Sequence, residues 1–436
     1  MRRPFSYLAA CFSVVALGGS AFAQEKPVEA AEAPLPSASG PALSEREALV
    51  RFERDNLDLV AAKYDLSAAR AGVVAAGVLP NPTLGVGGAF LVHGTPLGGE
   101  QELSVFIGQS LPIGGQVGAK KDAAAAYSTA AERDFAASLW SLTVDVRQAY
   151  LGLALAEARF RIERAALRDL TRVETVIEAR AQGGANPQYD RIRVSVDKSS
   201  ALGRMADAEA ELATARATLA QAVGKSVDAR TVHVDGEVPE PQLVGADLPT
   251  LVERAVKQRP EAAAAKLRSD ASALTVTYLK RTYVPSPQVN VGYTHGLGVP
   301  GDVGKSSGGV VFAQLAITLP IFDHGQGTID RGLAEAQAQR TRAEAIDLFV
   351  RRDVERAYHT AAARVAAWQT YRDAAKGGVE RLREIAELSY REGRATILEL
   401  LDAYSAYREA RIRATELKGA ALRATTDLER AVGPKK

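Results

Sequence analysis

The sequence has few of the sulfur and imidazole side chains on which many catalytic and metal centres depend. It has one cysteine, Cys11, in 436 residues, and the signal-peptide cleavage that we expect after Ala23 would leave the mature chain with no thiol for a disulfide or a metal site. No nucleophile lies in a recognisable pattern with a base. The histidines are scattered, and no pair has the spacing of metal ligands: His93, His233, His295, His324 and His359. We therefore expect no enzyme, no cofactor and no resident metal.

Charge and hydropathy exclude two more classes of protein. Lysine and arginine number 54 against 52 aspartate and glutamate, which gives a formal net charge of +2. Charges of both signs are mixed along the chain without the basic surface that nucleic acid requires, so we expect no nucleic-acid partner. Beyond residue 23, no apolar run approaches the roughly 20 residues of a transmembrane helix.

The N-terminus predicts export. Arg2 and Arg3 precede a short apolar run that ends at a small-residue cleavage site, Ala21-Phe22-Ala23. We expect a signal peptide over 1–23 and a flexible leader over 24–43, because the leader is rich in proline, alanine and glutamate. Two alternatives stay open: an uncleaved N-terminal anchor, and acylation of the cysteine within a lipobox-like stretch.

The second half of the chain repeats the first at an offset of about 208 residues. Such a period is far longer than the roughly 20–50 residues of a solenoid repeat, so each copy is a whole architectural unit. We expect repeat 1 over 44–224, a linker over 225–246 and repeat 2 over 247–433. Four anchors carry the offset: Pro80-Asn81-Pro82 with Pro285-Ser286-Pro287, Leu111-Pro112-Ile113 with Leu319-Pro320-Ile321, Val146–Tyr150 with Val354–Tyr358, and Ala222-Val223-Gly224 with Ala431-Val432-Gly433.

Each repeat interrupts helical sequence with a pair of predicted strands. Strands of about ten residues with one apolar face are typical of transmembrane β-barrels, whereas a half-buried sheet of a soluble protein is the alternative. The predicted export signal and the flanking helices favour the membrane. The hairpins lie at about 83–112 and 288–319, with alternating apolar residues over Thr83–Val92, Leu103–Leu111, Val289–Tyr293 and Val311–Leu319.

Helical periodicity fills the rest of each repeat. The long helices carry apolar residues at coiled-coil spacing, and we expect half-length helices, stacked end to end, to lie beside them. Ser44 and Glu47 have the spacing of a capping box at the first helix. The predicted helices are Ser44–Val78, Val117–Ala181 and Pro187–Val223 in the first repeat, and Thr328–Arg391 and Thr396–Val432 in the second.

Four strands cannot close a barrel by themselves. Small barrels need about eight strands, and open sheet edges are not tolerated in hydrocarbon. If the strands span a membrane, several chains must therefore contribute to one barrel. The helices are too polar for lipid and must stand in water. The residues thus predict an oligomeric tube with a β end in a membrane and an α end outside it.

The chain resembles the TolC-type outer-membrane efflux proteins over nearly all of its mature length. The resemblance is carried by the duplicated helix–hairpin–long helix–helix plan and by three stretches of the second repeat. These stretches are Leu319-Pro320-Ile321-Phe322-Asp323, Gly325-Gln326-Gly327, and Tyr390-x-x-Gly393 followed by Leu398-Glu399-Leu400-Leu401-Asp402-Ala403. The first two are most similar to the heavy-metal branch of the family, the Czc and Cus type.

The resemblance implies a mixed α+β membrane protein that works as a homotrimer. Twelve strands would form one barrel in outer-membrane lipid, continuous with a helical barrel in the periplasm. A periplasmic adaptor and an inner-membrane RND pump would complete the machine, with this protein as its passive exit duct for heavy-metal cations. Two alternatives remain: the same duct for drugs, other organic compounds or a secreted polypeptide, and a periplasmic coiled-coil scaffold without a pore.

The resemblance also places a gate at the periplasmic tip. Glu399 and Asp402 match acids that narrow the tunnel entrance and favour cations; without the motif they would be ordinary surface acids. Asp190 matches an acid that holds the closed state, and Tyr390 matches a tyrosine of the same network, with a buried aromatic as the alternative. The arginine that pairs with the acid would fall at Ala395, so the closing salt link is in question.

The two turns at the same end of the molecule are the expected contacts of the adaptor. Simple chain reversals are the alternative, and the two roles are compatible. The residues concerned are Gly183, Gly184 and Asn186 in the first repeat, and Gly393, Arg394 and Thr396 in the second.

Overall fold

The computed structural model describes residues 42–89, 101–182, 188–234, 238–243, 245, 247–297, 308–375 and 378–434. The predicted signal peptide, nearly all of the leader and the first tip turn with Gly183, Gly184 and Asn186 lie outside these residues. Within them the elements are α1 Glu45–Asp55, α2 Leu57–Gly77, β1 Thr83–Ala89, β2 Gln101–Ser110, α3 Gln116–Gln182, α4 Gln188–Val223, α5 Leu248–Gln258, α6 Pro260–Thr282, β3 Gln288–Leu297, β4 Gly309–Ala316, α7 Gln326–Ala375, α8 Gly378–Arg391 and α9 Ile397–Val432.

The longest element is α3, which runs through 67 residues without a break. The helix expected over 117–181 is therefore present, at about 100 Å of length. It packs against α2 and α6 towards the strands, and against α4 and α9 towards the opposite end. Its buried residues include Val146, Leu153, Phe160, Leu170 and Ile177, all positions of the coiled-coil spacing. In the second half α7 packs against α6 and α9, and α8 packs against α9.

The single helix predicted over 44–78 is wrong, because the chain breaks at Asn56. The backbone there is extended, and the Asn56 side chain caps α2 by accepting a 2.9 Å hydrogen bond from Leu59 N–H. Its amide also donates to the carbonyl of Ala222, at the end of α4, over 2.8 Å. The start of α2 is thereby fixed to the end of α4, as expected for half-length helices stacked beside a long one.

A second break, at Arg259, has the same form in the other half of the chain. Pro260 starts α6, and the buried Arg259 guanidinium donates to the carbonyl of Ala431 at the end of α9 over 3.2 Å. Gly224 and Gly433 follow the two helix ends with φ of 111° and 90°, where glycine is favoured. A Cβ on Gly224 would lie 2.5 Å from the Asp55 carbonyl oxygen. The close approach of the two helix ends therefore requires this glycine.

The strands form one antiparallel sheet in the order β1-β2-β3-β4. The two hairpins join through β2 and β3, which are far apart in sequence, with Val105 opposite Tyr293. The strand predicted to continue to Leu319 is shorter than expected, since β4 ends at Ala316. Residues 90–100 and 298–307 between the strand pairs lie outside the described chain.

The two faces of this sheet differ in polarity. One face is apolar and exposed, and includes Leu84, Val86, Ile107, Val291 and Val311. The opposite face carries small and polar residues, together with the rings of Phe106 and Phe312, whose centroids lie 6.5 Å apart. These rings lie over Gly85 and Gly292: a Cβ on Gly292 would come within 2.5 Å of the Val105 carbonyl oxygen.

Among the described helices, none combines the length and the hydropathy needed to cross a membrane. The apolar core lies in separate clusters along the wall that the packed helices form. One surrounds Phe52, Leu153 and Leu219 near the helix breaks. Another surrounds Ile177, Tyr390 and Leu400 at the end remote from the strands, which we call the tip.

Candidate functional site

The turn between α8 and α9 forms the described part of the tip. Gly393 has φ of 74°, and its N–H donates to the Tyr390 carbonyl over 3.1 Å. The N–H groups of Arg394 and Ala395 both donate to the Ser389 carbonyl, at 2.8 and 3.1 Å. These bonds satisfy carbonyls that the end of a helix leaves free, and the left-handed residue that permits them is glycine.

Glu399 takes part in a reciprocal capping box with Thr396 at the start of α9. The Thr396 hydroxyl oxygen accepts from Glu399 N–H over 3.3 Å, and Glu399 Oε2 accepts from Thr396 N–H over 2.7 Å. Hydrogen bonds from the Thr396 backbone and then from its hydroxyl lower the pKa of Glu399 below its ordinary value. The Thr-x-x-Glu spacing is itself the pattern of a capping box, although a box was expected only at Ser44. At Ser44 the structure forms one of the two hydrogen bonds of a capping box: the Ser44 hydroxyl oxygen accepts from Glu47 N–H, whereas the Glu47 carboxylate pairs with Arg51.

Asp402 follows one turn later on the same side of α9. Both acids are exposed, whereas Leu400 and Leu401 between them, and Ala403 after them, are buried. Residues three apart on a helix are neighbours, so the two carboxylates form one acidic surface. Asp402 also lines a groove of about 420 Å³ whose floor is α3 and whose walls are α4 and α9.

Tyr390 and Asp190 come together across the tip. The Tyr390 hydroxyl donates to Asp190 Oδ2 over 3.3 Å, which joins α8 to α4. The tyrosine ring is 2% exposed and packs in the tip cluster. The hydrogen bond and the buried aromatic, which the sequence offered as alternatives, therefore occur in the same residue.

The turn does not place an arginine against Asp190. Ala395 is partly buried against the tip cluster, and Arg394 pairs with Glu392 in its own turn. The side chain expected to form the closing salt link is thus absent, and its neighbour is engaged elsewhere.

Two ion pairs that the sequence analysis missed lie deeper in the wall. Glu163 on α3 is 4% exposed and contacts Arg408 of α9. Asp169, also on α3, faces Arg383 of α8. The signal was a glutamate, Glu163, among positions of coiled-coil spacing that are mostly apolar, but the sequence alone did not reveal its partners. Across the residues that the structure describes, no group of three or more His, Cys, Asp or Glu side chains is arranged to hold a metal ion.

Comparison with known proteins gives consistent matches over most of the chain. The family described as outer membrane efflux protein matches residues 48–225 and 251–434. The cobalt-zinc-cadmium resistance protein CzcC of Cupriavidus metallidurans is 24% identical over 396 residues, which cover 91% of each chain.

Two solved structures show the same fold. The crystal structure of CusC, a protein reported to form a transmembrane channel, superimposes on this chain with a TM-score of 0.71 at 19% identity. The match covers 90% of this chain and 92% of that one. The Campylobacter jejuni CmeC outer membrane channel superimposes with a TM-score of 0.74 at 14% identity, covering 89% and 85% of the two chains.

Proposed function

Because this chain belongs to the outer membrane efflux protein family, we propose that three copies of it form the passive exit duct of a tripartite efflux system. In this proposal the strands lie in the outer membrane and the helices extend into the periplasm. A periplasmic adaptor and an inner-membrane RND pump deliver the cargo, which is a heavy-metal cation. The family comprises outer-membrane efflux proteins rather than enzymes, and the chain supplies a conduit rather than a reaction.

The four-stranded sheet is the observation that carries this proposal. Within the described residues β1 and β4 are edge strands, and one face of the sheet exposes mainly apolar side chains. An apolar face suits lipid, but an open edge leaves backbone groups unpaired there, at a cost of several kcal/mol for each group. Three copies supply twelve strands from four in each, and pairing β4 of one copy with β1 of the next removes every edge.

The helices at the tip also expose apolar surface. Both α4 and α8 carry an exposed apolar stripe there. Contact between two different surfaces of identical subunits closes into a ring when the rotation fits. This is the geometry that a trimeric helical barrel requires. The stripes are Tyr189, Ile192 and Val196 on α4, and Leu382, Ile385 and Leu388 on α8.

The tip is the proposed gate. In a trimer Glu399 and Asp402 would form two stacked rings of three carboxylates, and charged rings of this kind select ions by their sign. The bond between Asp190 and Tyr390 would hold neighbouring helices together in the closed state. The adaptor would dock on the two turns of the tip, those that contain Gly184 and Gly393.

The cargo is inferred from similarity and from charge. The relative CzcC is a cobalt-zinc-cadmium resistance protein, and paired acids at the gate suit divalent cations. The same duct for organic compounds or a secreted polypeptide is the alternative. A periplasmic scaffold without a pore has no use for a sheet face made of exposed leucine, valine and isoleucine.

Two measurements test the proposal. Detergent extracts of the outer membrane should contain a heat-modifiable trimer that conducts ions in planar bilayers; a soluble periplasmic monomer would contradict the duct. Deleting the gene should lower tolerance of zinc, cobalt or cadmium without changing tolerance of organic toxins. The reverse pattern would keep the duct and reject the metal cargo.

A further inference from the structure

The tip half of the wall consists of two helix pairs that meet along one line. One pair is α3 with α4, from the first half of the chain, and the other is α9 with α8, from the second half. The pairs touch mainly where α3 packs against α9. Any widening of the tip must move one pair against the other, so polar contacts across this line oppose widening.

Glu163 makes the most deeply buried of these contacts. Its Oε1 accepts a 3.0 Å hydrogen bond from Arg408 Nη1 of α9, across the line. Its Oε2 lies 3.5 Å from Arg204 Nε of α4, within its own pair, and has no hydrogen-bond partner. The better bond of this carboxylate is therefore the one that joins the two pairs.

Asp169 repeats the arrangement nearer the tip. Its Oδ2 lies 3.7 Å from Arg383 Nη1 of α8, across the line, and its Oδ1 lies 3.7 Å from Arg172 Nη1 of its own helix. The Arg383 guanidinium also lies 4.7 Å from the centroid of the Tyr407 ring on α9. Packing on this ring fixes the position of the guanidinium opposite the carboxylate.

Both contacts lie deeper in the molecule than the tip bond between Asp190 and Tyr390. At 1.5 Å per residue, Asp169 lies about 20 Å and Glu163 about 30 Å along α3 from the end of that helix, and Arg383 lies about 10 Å along α8 from Tyr390. They also supply what the turn lacks. Alanine stands at 395 and Arg394 pairs with Glu392, whereas among the described residues Arg383 and Arg408 provide positively charged links between the two helix pairs.

We propose that Glu163 with Arg408, and Asp169 with Arg383, form an inner lock that holds the two helix pairs together and must open before the tip can widen. This inference rests on the proposed duct and adds its mechanism of closure. A buried ion pair is a suitable lock because separating the partners leaves a charge without compensation unless water enters. Glu163 Oε2 and Arg383 Nε have no hydrogen-bond partner in the closed arrangement. Water that enters during widening can bond to both atoms, which lowers the cost of separating the ion pairs.

Each acid contacts one arginine across the line and one within its own pair, which gives matched controls. Arg408→Gln and Arg383→Gln remove the partners across the line, while Arg204→Gln and Arg172→Gln remove the partners within the pair. The four variants and the wild type are extracted as trimers and compared by single-channel recording at neutral pH.

The lock predicts that each of the first two variants raises the fraction of time spent open roughly tenfold, which corresponds to about 1.4 kcal/mol. Arg204→Gln and Arg172→Gln should behave as the wild type. Glu163→Gln combined with Arg408→Gln should open no more than Arg408→Gln alone, because both changes break the same contact. If Arg408→Gln does not assemble, Arg383→Gln against Arg172→Gln decides the question.

Two results would overturn the lock. An equal rise in opening in all four variants would indicate loosened packing. Unchanged opening in Arg408→Gln and Arg383→Gln would show that the two contacts do not oppose opening. Both results presuppose a conducting wild-type trimer. If the wild type itself does not conduct, the proposed duct fails and not the lock alone.

Discussion

The hydroxyl of Tyr390 donates a hydrogen bond to Asp190 Oδ2 across 3.3 Å, although the two residues stand 200 positions apart in the chain. The bond joins α8, which precedes the second turn of the tip, to α4, which follows the first. Since each helix comes from a different half of the chain, the bond reports directly on how the halves sit against each other at the proposed gate.

Removing this hydroxyl should loosen the gate without disturbing the core. Tyr390→Phe keeps the buried ring and loses the hydrogen bond to Asp190, worth about 1 kcal/mol. We expect a several-fold rise in resting conductance in planar bilayers and at most a small fall in the thermal stability of the trimer. Tyr64→Phe is the control, because this tyrosine is exposed on α2, far from the tip. A rise of equal size in the control would contradict a role for the Tyr390 bond.

The acids of the gate should set cation preference separately from helix capping. Glu399→Gln and Asp402→Asn remove charge, and glutamine is tolerated at the third position of a capping box. Glu399→Ala removes the charge and the cap together. We expect all three variants to lose cation preference, measured from reversal potentials in a salt gradient. Only Glu399→Ala should also lower the unfolding temperature. Unchanged reversal potentials would contradict the proposed carboxylate rings.

Thr396→Ala should destabilise the start of α9 in a pH-dependent manner. Bonds from the Thr396 backbone N–H and then from its hydroxyl lower the pKa of Glu399, and Thr396→Ala removes only the hydroxyl bond. The stability that this bond contributes is present above the unfolded pKa and is lost as pH falls through the lowered folded value. We expect a loss of about 1 kcal/mol at pH 7, typical of an N-cap threonine, and a smaller loss at pH 3. Thermal unfolding at both pH values measures this. Thr415→Ala, whose hydroxyl bonds only its own helix, should show no such difference between the two pH values.

The sheet should tolerate no side chain at Gly292. A Cβ there meets the Val105 carbonyl oxygen at 2.5 Å, and a backbone atom cannot rotate away as a side chain can. We expect Gly292→Ala to cost about 1–3 kcal/mol and to lower the temperature at which the detergent-resistant trimer dissociates. Gly72→Ala is the contrasting variant, because its Cβ would meet nothing within 4 Å in the middle of α2. It should raise stability by about 0.5–1 kcal/mol.

Much of the fold was predictable because its signals are local. The long helix α3 has apolar residues at the spacing of one helix face, and the strands alternate with a period of two, so neighbouring residues suffice to assign both. The gate residues, in contrast, came from a resemblance of motifs. Glu399 had a second role in its capping box that the spacing of Thr396 and Glu399 already indicated.

The sequence by itself determined the order of helical and strand segments and the polarity of each strand face. It also determined that, beyond residue 23, no apolar run is long enough for a transmembrane helix. Only the tertiary structure decided where the first helix breaks, since the Asn56 side chain, which caps α2, also donates to the Ala222 carbonyl 166 residues away. It likewise decided that Glu163 is buried, because its partner Arg408 lies 245 residues further along the chain. Local propensity extends over a few residues, whereas the burial of a polar group is settled by the helices that pack around it.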